Sequence, residues 1–135
     1  MLPDPLTLKD SAGTDVVFNL TSSVTDPKTG AVTTKRADAS RGPTEPREVI
    51  IKTSITGSGQ SRVRRTAVQV ADTQLSATGI PYTMTYQGSW VYPLNGEFAP
   101  GDLDNAICMC GDLFLTTASL AVDTAKRASL LQGQA

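Results

Sequence analysis

Three segments alternate apolar and polar residues so regularly that they constrain the chain to an antiparallel sheet. Arg47–Thr56 (REVIIKTSIT) sets Val49, Ile51, Thr53 and Ile55 against Glu48, Ile50, Lys52, Ser54 and Thr56. Arg62–Ala71 sets Arg64, Thr66, Val68 and Val70 against Val63, Arg65, Ala67, Gln69 and Ala71. Tyr82–Tyr92 sets Met84, Tyr86, Gly88, Trp90 and Tyr92 against Thr83, Thr85, Gln87, Ser89 and Val91. A strand turns successive side chains to opposite faces, so period two predicts three strands. The turn Gly57-Ser58-Gly59-Gln60-Ser61 joins the first two as a hairpin. One face of such a sheet can be buried under helices while the other, polar and basic, stays open to a polyanion.

The flanking sequence adds shorter elements. Leu6–Lys9, a turn at Asp10–Thr14 and Asp15–Leu20 read as a β-hairpin, and Thr21–Gly30 as a loop with Asp26-Pro27 and Thr29-Gly30 turn signals. Ala31–Arg36 is a short strand, Ala37–Pro46 a connector rich in Gly and Pro, and Asp72–Ile80 a loop. Pro93–Pro100 breaks the strand pattern. A helix is expected from Gly101-Asp102, with Asp102 and Asp104 suited to its N-terminal dipole and Leu103, Ala106, Ile107, Cys110, Phe114 and Thr117 at helical spacing. A second helix is expected over roughly Ala118–Leu131. Gly88, inside the aromatic row, would let a covering helix approach closely.

Bulk properties narrow the function. At 135 residues the chain reads as one domain with a core of its own. Its net charge of −1 excludes a globally basic nucleic-acid binder, yet the charge is unevenly placed. Lys35–Arg65 holds eight basic and three acidic residues, whereas Thr66 to the end holds six acids and two bases. Such polarity points to a charged partner. Histidine is absent, which removes the commonest general base and metal ligand and every Ser-His or Cys-His pair. Cys108 and Cys110, two apart on a helix, point away from each other and cannot bridge there. They lack partners for a zinc site and read as small buried hydrophobes suited to a reducing cytoplasm. No metal or other cofactor is expected. The opening Met-Leu-Pro-Asp-Pro is too polar for a signal peptide, and no apolar run is long enough to span a membrane.

The strands, followed by helices, make an α+β plan. One amphipathic helix cannot cover the apolar face of such a sheet, and the long Tyr82–Tyr92 strand would leave an unpaired edge. A two-fold dimer that pairs edge strands and lays each helix on the neighbour's sheet meets both needs.

The run REVIIKTSIT, SRVRRTAVQVADT and YTMTYQGSWVYP, with its strand lengths, spacing and intervening loop, resembles the central strands of the coat proteins of single-stranded RNA bacteriophages (levivirus-like). The likeness extends over nearly the whole chain. It implies a single coat-protein domain over 1–135, with an N-terminal hairpin at 6–20, a five-stranded antiparallel meander sheet within 31–92 and two C-terminal helices within 101–132. It also implies an interlocked homodimer with a continuous ten-stranded sheet. Such dimers self-assemble into an icosahedral shell, and the polar sheet face lines an interior filled with genomic RNA. In several members that face also binds a translational-operator hairpin. The implied partners are a second copy, the viral RNA and a maturation protein, with no membrane. The implied location is the virion, after synthesis in the bacterial cytoplasm, and the implied role is structural rather than enzymatic.

On this resemblance the RNA-binding candidates are Lys52, Ser54, Thr56, Arg65, Gln69, Thr85, Gln87 and Ser89. Lys52 and Arg65 would neutralise phosphates, and the hydroxyl and amide groups would hydrogen-bond splayed bases. Met84, Tyr86, Gly88, Trp90, Leu103, Ile107 and Phe114 would form the dimer interface and core. Asp72, Thr73, Gln74, Leu75, Ser76, Ala77, Thr78 and Gly79 would form a loop at the shell's symmetry axes. The chain departs from the family in one respect: Thr85 stands where members that bind a hairpin tightly often stack a base on a tyrosine. The rival class is a non-viral dimeric RNA- or ligand-binding module. A carboxylate-only enzyme is disfavoured, since Asp102 and Asp104 are better explained as helix-capping residues and Gly57-Ser58-Gly59 lacks the lysine and helix of a phosphate loop.

Overall fold

The computed structural model describes residues 2–113. They form an antiparallel sheet and one C-terminal helix, a broadly α+β chain. Six strands run β1 (Leu6–Lys9), β2 (Asp15–Thr25), β3 (Val32–Asp38), β4 (Arg47–Thr56), β5 (Val63–Leu75) and β6 (Pro81–Pro93), and α1 spans Pro100–Asp112. The spatial order of the strands is their order in sequence, so every connection is a hairpin or a short return. The chain divides into two compact units. Among the described residues, one contains 2–8 and 15–97; the other contains the Lys9–Thr14 turn and 98–113.

Strand count and extent differ from the expectation. The N-terminal hairpin is not separate from a five-stranded meander, because β2 continues to Thr25 and pairs with β3, making one six-stranded sheet. The sequence conceals this continuation. Thr21 is an extra residue in the β2–β3 ladder, and the register shifts between Leu20 and Ser22. Its hydroxyl donates to the Lys35 carbonyl at 3.0 Å. A bulge moves the alternation by one, so a period-two search loses the strand there. β5 likewise runs on to Leu75, so Asp72, Thr73, Gln74 and Leu75 are strand residues and only Ser76–Ile80 remains as the connection. The second expected helix and Phe114 lie outside the described residues.

The turns follow local chemistry. The β4–β5 connection closes with a single 3₁₀ turn, Gly59–Ser61, and Gly57 holds a φ of +84°, where an added Cβ would overlap the Ser61 carbonyl. At β2–β3, Asp26 accepts from the Lys28 amide at 2.8 Å and from the Thr29 hydroxyl at 2.9 Å. These bonds hold its carboxyl below the ordinary value of 3.8, the Lys28 amide contributing most. At the start of α1, Asp102 reaches back to accept the Ala99 amide at 2.9 Å, the capping role expected of it.

Register fixes which residues share a face. Ile51 pairs with Val68 and Val68 with Gly88, while Thr53 pairs with Thr66 and Thr66 with Trp90. Ile51 and Trp90 therefore lie on one side of the sheet, as the alternation requires. Phe18, Leu20, Arg36, Val49, Val70 and Tyr86 share that side. Little of it is buried: among the described residues only Phe18, Val49, Arg36 and Asp38 are. Toward the sheet's far edge, Tyr82, Met84 and Tyr86 are 65%, 70% and 59% exposed. Among the described residues, a Cβ at Gly88 would meet nothing within 4 Å. In α1, Leu103 is half-buried and Ile107 exposed. Cys108 and Cys110 are free and exposed rather than buried.

A charged cluster closes one end of this side. Asp72 accepts from Arg47 Nε at 3.0 Å and Arg41 Nη2 at 3.4 Å, and Arg47 also lies 3.6 Å from Asp38. Asp38 takes both the amide and the hydroxyl of Ser40. Beyond it, the connector between β3 and β4 clips the overhang of β5. The Thr73 amide donates to the Pro46 carbonyl, and the Leu75 amide to Glu45 Oε1, both at 2.9 Å. With the continued pairing to β6, these bonds satisfy the polar stretch that persists as a strand past the end of β4.

Candidate nucleic-acid interface

The opposite side of the sheet is assembled by the same register. Lys52 pairs with Ala67, and Ala67 with Ser89; Ser54 pairs with Arg65, and Arg65 with Val91. Ile50 pairs with Gln69, Gln69 with Gln87, and Ala71 with Thr85. Thr56, opposite Val63, completes the set. All eight RNA-binding candidates (Lys52, Ser54, Thr56, Arg65, Gln69, Thr85, Gln87 and Ser89) thus share one face across β4, β5 and β6. Antiparallel pairing does this because directly opposed residues point the same way.

Lys52 and Arg65 flank an open groove of about 340 Å³ floored by Ala67, Ser54 and Ser89. Small side chains on β4, β5 and β6 leave the depression, and the two long cationic side chains border it. Arg65 Nε donates to Thr56 Oγ1 at 3.4 Å across the ladder, tethering one side of its guanidinium. Both cations are exposed. Solvated cations beside hydroxyl and amide groups can bind phosphates and hydrogen-bond to a nucleotide chain.

Two residues of this face were missed in the sequence. Thr33 pairs with Lys52, and Lys35 pairs with Ile50, so β3 adds a hydroxyl and a third cation. Lys35 Nζ lies 2.8 Å from Glu48 Oε1. The alternation inside β3 held the signal, but it could be placed on a face only once the register against β4 was known. Arg64 pairs with Tyr92 and belongs to the other side, where it borders a second groove of about 570 Å³ with Trp90, Ile55 and Thr29.

Across β3–β6 the polar face carries no aromatic residue. Tyr82, Tyr86 and Tyr92 pair with Gln74, Val70 and Arg64 on the opposite side. A base-stacking platform is therefore missing from these strands, in keeping with Thr85 standing where the resembling family often has tyrosine. Of the residues expected at a symmetry axis, Ser76, Ala77, Thr78 and Gly79 form the β5–β6 tip. There the Ser76 hydroxyl accepts the Thr78 and Ile80 amides, and Gly79 takes a φ of +79°. Asp72 instead anchors the ion cluster.

Among the described residues no group of three or more metal-ligating side chains comes together, and no helix is long and apolar enough to cross a membrane. No protein-family model matches the chain, and no curated protein matches it.

Proposed function

We propose that this chain is the coat subunit of a single-stranded RNA bacteriophage. It pairs two-fold along β6, its dimers close into an icosahedral shell, and the Lys52–Arg65 face meets the packaged genome. The observation that carries this reading is the contrast between the two faces. One is polar and cationic. The other exposes Tyr82, Met84 and Tyr86 on the last strand of the sheet. An edge strand of thirteen residues with apolar side chains open to water invites pairing with another chain. A second copy supplies a matching strand at no cost in new sequence, and a two-fold axis pairs β6 with itself to give a continuous sheet. The groove beside Trp90 and Arg64 on the same side suits a helix from that copy. α1 offers it exposed Ile107 and Met109 with acids at Asp102, Asp104 and Asp112.

RNA contact in this reading is mostly electrostatic. Lys52 and Arg65 displace counterions, and the serine, threonine and glutamine groups add hydrogen bonds without ring stacking. This favours general packaging over a tight hairpin operator. The test is expression of the protein alone in bacteria, followed by electron microscopy and measurement of nuclease-protected RNA in the same sample. Closed particles containing protected RNA are expected. A discrete dimer that never assembles at any salt or RNA concentration would overturn the shell and favour a dimeric binding module. Particles devoid of RNA would overturn the role of the polar face.

A further inference from the structure

Across β3–β6 the polar face holds three cations, Lys35, Lys52 and Arg65, and a single acid, Glu48. Register strings the cations along a diagonal. Lys35 is opposite Ile50, two residues from Lys52, and Lys52 is opposite Ala67, two residues from Arg65. With strands about 4.8 Å apart and a rise of about 3.4 Å per residue, each step is about 8 Å and the line about 16 Å long. A polyanion crossing β3, β4 and β5 obliquely would meet all three charges in turn. Glu48 interrupts the line at its β3 end. Its carboxylate sits 2.8 Å from the Lys35 ammonium, and the two side chains are 24% and 41% exposed.

We infer that Glu48 is a built-in competitor for RNA phosphate: it occupies Lys35 and confines polyanion contact to Lys52 and Arg65. Each chain then neutralises two phosphates rather than three. The inference rests on the polar face being the RNA-contacting face. The ion pair need not be strong to act this way. A phosphate approaching Lys35 must displace the carboxylate and then lie beside its negative charge, so the site is disfavoured twice. With no ring on this face of β3–β6 to stack a base, charge dominates affinity, and the count of available cations sets the salt response.

The test is fluorescence anisotropy of labelled single-stranded oligouridine and oligoadenine on the purified, RNA-free dimer of the full chain across a salt series. A single strand loses about 0.7 in log affinity per log salt for each phosphate neutralised, so wild type should show a slope of about −1.4 per chain. That is about a sevenfold loss between 50 and 200 mM salt. Glu48→Gln keeps the side-chain shape and frees Lys35. It should bind more tightly at low salt, with a slope of about −2.1 and about an eighteenfold loss over the same range. Lys35→Gln in the native background should leave the slope at about −1.4, because Lys35 makes no RNA contact there. This variant also decides the question should Glu48→Gln fail to fold. A wild-type slope in Glu48→Gln, or a fall to about −0.7 in Lys35→Gln, would overturn the role of Glu48. The Lys52→Ala/Arg65→Ala pair separates the two levels. If it abolishes binding the face stands whatever Glu48 does, and if it leaves binding intact the face itself is wrong.

Discussion

Replacing Met84 by alanine separates a chain that is complete alone from one that is completed by a copy. Met84 is 70% exposed, on the last strand of the sheet and opposite Asp72. In a solitary chain its truncation removes few contacts, and an exposed substitution of this kind costs within about 0.5 kcal/mol. In the two-fold pair the side chain is covered. Fully burying a methionine is worth about 1.5–3 kcal/mol, so the fraction still open amounts to about 1–2 kcal/mol. Symmetry doubles this to about 2–4 kcal/mol per dimer, which raises the dimer dissociation constant about 30- to 900-fold. Sedimentation velocity on a dilution series reads the dissociation constant directly, and urea unfolding at low concentration reads the chain's own stability. The expected pattern is a large shift in association with little change in intrinsic stability. A dissociation constant within threefold of wild type would refute pairing through β6.

Three further outcomes follow from the sheet itself. Asp72→Asn removes the charge shared by Arg41 and Arg47 in a site only 12% exposed, and should lower stability in urea by about 2–4 kcal/mol; a loss under about 0.5 kcal/mol would show the cluster to be idle. Gly57→Ala and Gly59→Ala both place a side chain at positive φ, but only at Gly57 would the new Cβ overlap backbone. Gly57→Ala should therefore be the more destabilising by about 1–3 kcal/mol in thermal or urea unfolding, and equal losses would contradict the turn geometry. Asp26 is held below its ordinary value of 3.8 by the Lys28 amide and the Thr29 hydroxyl. Its bonds thus help the turn fully above that unfolded value, and the help is lost as pH falls through the lower folded one. A carboxyl-carbon NMR titration with its midpoint at or above 3.8 would remove this contribution.

How far the fold can be read from the sequence depends on whether its cause is local. β4, β5 and β6 announce themselves because apolar and polar residues alternate along each of them, and that alternation puts the residues named as candidates in each strand on one face of it. The distal part of β5 does not, since Asp72-Thr73-Gln74 carries residues that usually leave strands. It is held by β6 on one side and, on the other, by Pro46 and Glu45, about thirty positions earlier, a relation no window along the chain contains. β2 is hidden differently. Thr21 inserts into the ladder and breaks the period, so Ser22–Thr25 reads as loop although it pairs residue for residue with β3. Cys108 and Cys110 are exposed where free cysteine is usually buried, because residue type sets a preference for burial and not whether a face is covered.

The charge distribution shows why a count of basic residues overstates a nucleic-acid face. Eight cations between Lys35 and Arg65 suggest a strongly positive surface. Four of them are used inside the fold. Arg41 and Arg47 hold Asp72, Lys35 holds Glu48, and buried Arg36 donates to the Thr34 hydroxyl at 3.1 Å. Arg64 lies on the opposite side and Arg62 in the turn, leaving only Lys52 and Arg65 facing the polar groove. In the proposed role, two charges would give one chain weak, salt-sensitive contact with RNA. A closed shell would repeat them around its whole interior, so the repetition could hold a genome where a single face could not. Weak contact at each site would also leave the RNA free to adjust as successive subunits closed around it, which a tight operator grip in every chain would prevent. On this argument the acid at Glu48 is consistent with assembly rather than a flaw in it: a modest affinity, multiplied, is what a container needs.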